Sequence, residues 1–387
     1  MKRTNQLLSG LGTTIFTVMS ALATEHQAIN LGQGFPDTEG PRDVVEKAAE
    51  ALLDGQNQYP PLAGLMVLRE AVAAVNRRFY GIEVDPHTEV VVTSGGTEAL
   101  AASLMALLDP GDEVVLFEPL YDTYLPVIRM LGAVPRIVRL QPPDWALPEA
   151  ELRAAFGPKT KAVLLNSPMN PTGKVFSGVE LGLIAELIRQ HDAFGISDEV
   201  YEHLVFGDAR HVPLMALPGM RNRCIRIGSA GKTFSLTGWK LGYVTASAPL
   251  AAVVAKAHQN LTFTSPPNLQ RAIAYGLRKE DAYFQGFAAV LAGKRDRLRQ
   301  GLARAGLPTL SCDGSYFVIA DISGVGFDGD DAAFCRFITE KAKVAAIPLS
   351  AFYDQPGAPR YLVRFAFCKQ DQVLDEAAVR LARCFGR

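Results

Sequence analysis

Ile225-Arg226-Ile227-Gly228-Ser229-Ala230-Gly231-Lys232-Thr233-Phe234 runs from an apolar strand into a short polar stretch and leaves one lysine just past the strand end. Thr237-Gly238-Trp239-Lys240 follows at once with a second lysine. An ε-amine held in a partly desolvated pocket loses basicity and becomes a nucleophile toward an aldehyde. Taken alone, the stretch fits a solvated loop lysine equally well. A phosphate-binding P-loop is excluded, because the glycine it needs five residues before Gly231 is Arg226. The other glycine cluster, Gly32-Gln33-Gly34-Phe35-Pro36-Asp37, has Asp37 in place of the third glycine of a dinucleotide loop, and Pro36 removes an amide donor.

Outward from Lys232, short apolar runs alternate with amphipathic stretches between about residues 88 and 250. This is the rhythm of a mostly parallel sheet covered by helices. Strands are expected over 90–93, 113–117, 134–138, 162–166, 194–197, 225–228 and 241–245. Leu181, Ile184, Ala185 and Ile188 mark the sheet-facing side of one intervening helix. Beyond Pro266 come longer helical segments, around 272–278 and 293–297, and shorter strands at 316–320 and 361–365. The partition expected is an N-terminal arm with part of a small domain over 1–45, a large domain over 46–285, and a small α/β domain completed by 286–387.

The chain carries 39 basic and 40 acidic residues, so neither a nucleic acid nor an anionic membrane is an expected partner. Interrupted apolar runs at the N-terminus point away from export and membrane insertion. Five widely spaced cysteines without a CxxC pair argue against a disulfide framework or a zinc site, and suit a reducing cytoplasm. His203 and His211 lack metal-ligand spacing and read as surface or packing residues.

Open α/β sheets bind ligands beyond the carboxyl ends of their strands, so the residues just past each strand are the candidates for a site. Ser94-Gly95-Gly96-Thr97-Glu98 opens a helix whose free amides suit an anion, although many ordinary helices begin this way. Ser167-Pro168-Met169-Asn170-Pro171-Thr172-Gly173-Lys174 is a stiff loop that aims the Asn170 amide. Asp198-Glu199-Val200-Tyr201 offers an acid to a pyridinium nitrogen and a phenol to a ring oxygen; taken singly, an acid at a strand end is more often a helix cap. A lysine, an acid, a tyrosine, an asparagine and an anion loop thus stand at strand ends of one expected sheet, a set suited to pyridoxal 5'-phosphate.

SAGKTF with TGWK, SPMNPTGK, SDEVYEHL, NLGQGFPD, NQYPPLAG and VRFAF together resemble the class I aminotransferases of fold type I, over nearly the whole chain. IFTVMSALA, EPLYDTY, HQNLTFTSP and AAIPLSAFY resemble the group that contains kynurenine aminotransferase, glutamine transaminase K and bacterial methionine aminotransferase. The resemblance implies a seven-stranded large domain, a smaller α/β domain and pyridoxal 5'-phosphate bound covalently to Lys232. It implies Asp198 at the pyridine nitrogen, Tyr201 and Asn170 at the phenolic oxygen, and Tyr121 stacked on the ring. Phosphate would meet Gly96, Thr97, the Glu98 amide, Ser229 and Lys240, with Tyr59 reaching in from a second subunit of a homodimer. A substrate carboxylate would meet Arg364, with Gly34 and Asn170 nearby; Phe16 would line the side-chain pocket, and Phe263 would line it near the partner-subunit wall.

Met169 and Thr264 stand where relatives carry histidine, and both are expected toward that pocket. The substrates implied are methionine, aromatic amino acids including kynurenine, or glutamine, with a 2-oxo acid as acceptor. A cysteine-conjugate or cystathionine-type β-lyase and an N-succinyl-diaminopimelate aminotransferase are the rival enzymes; the latter calls for a further basic pocket residue. A non-catalytic regulator on the same fold is disfavoured by the intact Lys232.

Overall fold

A computed structural model describes residues 2–386. Its central sheet has seven strands, in the order Val90–Thr93, Gly242–Ala246, Cys224–Ser229, Phe194–Asp198, Thr160–Asn166, Glu113–Glu118 and Val134–Arg139. Each expected run is a strand, with ends displaced by no more than a few residues. Gly242–Ala246 is antiparallel to both of its neighbours, whereas the other pairs are parallel. It therefore enters the sheet at the edge where Thr93 and Ser229 leave it, both of them opposite Gly242. That reversal brings Lys240 to the carboxyl edge with the other polar groups.

Alternation along the strands divides the core between two faces. Val91, Ile225, Ile227 and Val244 pack with residues of the helices Gly95–Leu107 and Ala248–Leu261. Val90, Val92, Val163 and Leu165 belong to the core on the other face, where helix Gly178–Gln190 buries Leu181, Ile184, Ala185 and Ile188. Ser177 and Glu180 close a reciprocal capping box at the start of that helix. The two buried stripes fix the height at which each strand ends.

The C-terminal segments form helices Pro267–Leu277 and Asp281–Arg304, then a three-stranded antiparallel sheet of Ile347–Pro348, Leu362–Ala366 and Phe317–Asp321. Ile29–Asn30 pairs in parallel with Val344–Ala345, which ties the N-terminal segment to the C-terminal one. Among the described residues no helix is long and apolar enough to cross a membrane.

Candidate active site

A cavity of about 560 Å³ opens beyond the carboxyl edge of the large sheet. Lys232 projects into it from a helical turn, Ala230–Thr233, and not from the loop expected. The turn closes because the Phe234 amide donates to Ala230 and the Thr233 hydroxyl to the Ser229 carbonyl. Gly231 lets it pack tightly, since a Cβ there would lie 3.1 Å from Thr237 Cα. Lys232 Nζ lies 5.5 and 5.6 Å from the ring centroids of Tyr201 and Tyr316, and the Tyr316 hydroxyl donates to the Lys232 carbonyl at 2.8 Å. Burial lowers the amine to about 8, which makes its neutral, nucleophilic form accessible near neutral pH.

Asp198 lies on the adjoining strand and also faces the cavity. Burial raises its carboxyl to about 6, against a 2.7 Å hydrogen bond that Tyr124 Oη donates to Oδ2. Asn166 fixes the floor: its Nδ2 donates to the Asp198 backbone carbonyl at 2.9 Å, and its Oδ1 accepts from the Asn170 backbone N–H at 2.8 Å. Asn170 Oδ1 accepts in turn from Arg364 Nη1 at 2.7 Å, so the Asn170 amide hydrogens remain for another acceptor. The bonds Glu118-Pro119, Ser167-Pro168 and Asn170-Pro171 in these strand-end loops are cis.

At the opposite side, Gly96, Thr97, Ser229 and Lys240 line the cavity beside the amino terminus of helix Gly95–Leu107. Gly95 has φ +79°, and a Cβ at Gly96 would come within 3.0 Å of Val200 Cγ1, so the backbone is open only to glycine-like approach. Glu98 does not line the cavity; its carboxylate accepts from the Ser94 amide at 2.8 Å and pairs with His258 Nδ1 at 3.0 Å. Only its backbone amide remains a candidate for anion binding.

Arg364 is 1% exposed, and the rings of Phe317, Phe352 and Phe16 lie 4.0, 4.9 and 5.1 Å from its guanidinium carbon. Nη2 donates to the Gly32 carbonyl at 2.6 Å, while Nε is buried without a partner. Burial lowers this group to about 10, leaving it charged at neutral pH. Gly34, Phe16, Tyr121 and Tyr201 join the same cavity.

One sequence expectation needs correction. Met169 is 2% exposed in the hydrophobic core and Thr264 is also absent from the cavity lining, so neither shapes it in one chain. Tyr59 and Phe263, expected at a second subunit's site, lie outside the cavity of their own chain, with rings 5.4 Å apart on the surface. His203 and His211 are packing residues, the latter 2.8 Å from Glu199, and among the described residues no cluster could hold a metal ion. Tyr124, Asn166, Tyr316 and Phe317 were missed; Tyr124 stood in the EPLYDTY motif, where only Tyr121 had received a task.

A nucleophilic amine between an acid and a cationic, amide-lined phosphate cradle, with a buried guanidinium alongside, defines a fold type I pyridoxal-phosphate enzyme. The donor set fits that group: the amine of Lys232, the ammonium of Lys240 beside the Gly96–Thr97 backbone and the buried guanidinium of Arg364 all face one cavity. The aminotransferase class I and II family model matches residues 26–381, and the chain belongs to that family. A probable N-succinyldiaminopimelate aminotransferase of Mycobacterium tuberculosis is 47% identical over 380 residues, 96% of either chain. The methionine aminotransferase of Escherichia coli is 43% identical over 374 residues, covering 97% of this chain and 96% of its own. The solved structure of N-succinyldiaminopimelate aminotransferase from M. tuberculosis superimposes with a TM-score of 0.96 over 99% of this chain and 100% of that one, at 47% identity. The protein is a pyridoxal-phosphate-dependent aminotransferase of the α/β fold type I class.

Proposed function

We propose that this aminotransferase acts on neutral amino acids with apolar, sulfur-containing or aromatic side chains, methionine and kynurenine among them, or on glutamine, with a 2-oxo acid as acceptor. One observation carries the reading: Lys232, Lys240 and Arg364 are the only lysines and arginines among the described residues that line the cavity, and each already has a task. Within one chain none is left over for a second carboxylate on the substrate, while Phe16, Phe35 and Phe317 give the wall apolar surface.

When bound, the cofactor supplies the aldehyde and the electron-withdrawing ring; the chain supplies everything else. In this reading Lys232 holds the cofactor, and its released amine moves the proton at the substrate Cα. Asp198 pairs with the ring nitrogen, Asn170 and Tyr201 donate to the phenolic oxygen, and Tyr121 stacks on the ring. Gly96, Thr97, the Glu98 amide, Ser229 and Lys240 hold the phosphate. Arg364 grips the substrate carboxylate in a bidentate pair beside Gly34.

The same reading makes the enzyme a homodimer. Tyr59 is 81% exposed and Phe263 42% exposed, an aromatic pair that supports a role in the partner's site and not in their own. The partition at 1–45, 46–285 and 286–387 belongs to it too, supported by the Ile29–Asn30 pairing with Val344–Ala345. A cytoplasmic location is supported by five free cysteines.

Transfer of the amino group of an N-succinylated diamino acid is the second reading, favoured by the M. tuberculosis relative. A panel of donors separates them. Methionine, phenylalanine, kynurenine and glutamine should turn over with a 2-oxo acid, and N-succinyl-diaminopimelate should not. Preference for the succinylated donor would reverse the reading, and exclusive release of pyruvate and ammonia from cysteine conjugates would replace it with β-elimination.

A further inference from the structure

Tyr124 opens the helix Tyr124–Met130, one turn after Tyr121, and its ring meets that of Tyr121 edge-on at 5.7 Å. It is 4% exposed, and its hydroxyl ends 2.7 Å from Asp198 Oδ2. The other carboxylate oxygen, Oδ1, accepts only a long bond from the Val200 amide at 3.3 Å. Lys232 and Glu199 are the other charged groups that act on this carboxylate, with opposite signs. Tyr124 is therefore the strongest neutral donor on Asp198. Burial beside the carboxylate holds the phenol well above its ordinary value, so it stays protonated and can only donate.

We propose that Tyr124 is a positioning residue for proton placement: by donating to Asp198 Oδ2 it makes that carboxylate a weaker base, so the proton shared with the cofactor's pyridine nitrogen stays on nitrogen. The inference rests on the assignment of Asp198 to the ring nitrogen. A carboxylate in a buried site competes for such a proton, because burial disfavours its charged form. A short donated hydrogen bond favours the charged form and tips the competition toward the ring. A protonated ring withdraws electrons from Cα more strongly, so the effect belongs to turnover and not to substrate binding.

The test uses the holoenzyme loaded with cofactor carrying nitrogen-15 at the ring position. In the wild type the nitrogen resonance should lie in the protonated range. In Tyr124→Phe, which keeps the ring and removes only the hydroxyl, it should move toward neutral pyridine, with kcat down about tenfold and KM changed by less than about twofold. Difluorotyrosine at position 124, a stronger donor of the same shape, should move the resonance the opposite way and keeps the proposal testable if the Phe variant folds poorly. An unmoved resonance in both variants overturns the role of Tyr124. If Asp198→Ala also leaves it unmoved, the assignment of Asp198 falls as well; if Asp198→Ala alone moves it, only the role of Tyr124 is lost.

Discussion

Arg364 Nη1 donates to Asn170 Oδ1 at 2.7 Å, so the group proposed to grip the substrate also orients the amide proposed to grip the cofactor. Nη1 and Nη2 each give one hydrogen to the protein, to Asn170 and to the Gly32 carbonyl, which leaves one on each for a ligand, and the Phe317 ring, 4.0 Å away, holds the plane. Arg364→Ala should raise KM for every amino donor, by on the order of a hundredfold, because a charged hydrogen-bonded pair is lost from a buried site. Arg364→Lys should recover little of this, since an ammonium cannot reproduce the planar fork. Steady-state kinetics over several donors checks it; a loss confined to some donors would remove Arg364 from the common carboxylate site.

Gly34 is where backbone and ring come closest beside that fork. A Cβ at Gly34 would lie 2.3 Å from Phe317 Cζ, with the Phe317 ring itself 2% exposed and unable to retreat freely. Gly34→Ala should therefore tilt Phe317 off Arg364. The expected outcome is a KM raised about tenfold for all donors, with a stability loss of about 1–3 kcal/mol from overpacking. Kinetics together with a melting curve measures both, and an unchanged KM would show that the fork tolerates the ring's displacement.

Asp198 makes the cofactor-free protein sensitive to pH. Its carboxyl sits at about 6 in the folded chain, against an ordinary value near 3.8. Between those values the folded state binds more protons than the unfolded one, so this group's contribution to stability falls as pH rises through the window. Above it, a buried charge without its ring cation costs about 2–3 kcal/mol. Cofactor-free Asp198→Asn should then be more stable than the wild type at pH 7.5, and about equal to it below pH 4, by urea unfolding. The same variant should lose most of its turnover, a trade of stability against function. Greater stability of the wild type at pH 7.5 would contradict the burial argument.

The strands were legible because each apolar run stops at polar residues where the sheet ends, as at Asn166, Asp198 and Ser229. Period-two burial carries no information about direction, so the reversal of Gly242–Ala246 was not visible. Lys232's helical turn spans four residues, too short for a helical period to register. Asp198 and Asn170 were singled out through their chemistry at strand ends, and Arg364 through the resemblance carried by VRFAF. Tyr124 and Phe317 were not, because a buried aromatic beside a strand end reads as core until its partner's position is known. Met169 failed for the converse reason: a position in a motif does not say which way a side chain turns.

Arg226 is the charge that the apolar run Ile225-Arg226-Ile227 conceals. It is 1% exposed, donates to Glu199 at 2.5 Å and to Asn76 at 2.7 Å, pairs with Glu202, and lies 4.5 Å from the Tyr80 ring centroid. Glu199 and Glu202 directly follow Asp198 and Tyr201, and Arg226 shares its strand with Ser229. One guanidinium thus braces the two strands that carry the proposed cofactor contacts. Burial alone would raise Glu199, but Arg226 and His211 outweigh it and hold the carboxyl at about 2. Arg226→Met removes that counter-charge and leaves two buried carboxylates, which should cost about 3–5 kcal/mol. With burial then dominant, both carboxyls take up protons more readily than in the unfolded chain, so the loss should be largest above neutral pH and shrink on acidification. Urea unfolding at pH 5 and pH 7.5 measures this. Adding Glu199→Gln and Glu202→Gln to Arg226→Met should recover part of the loss at pH 7.5, because amides need no counter-charge. A single variant as stable as the wild type at both pH values would mean that water or rearranged side chains replace the guanidinium, and that the brace is not electrostatic.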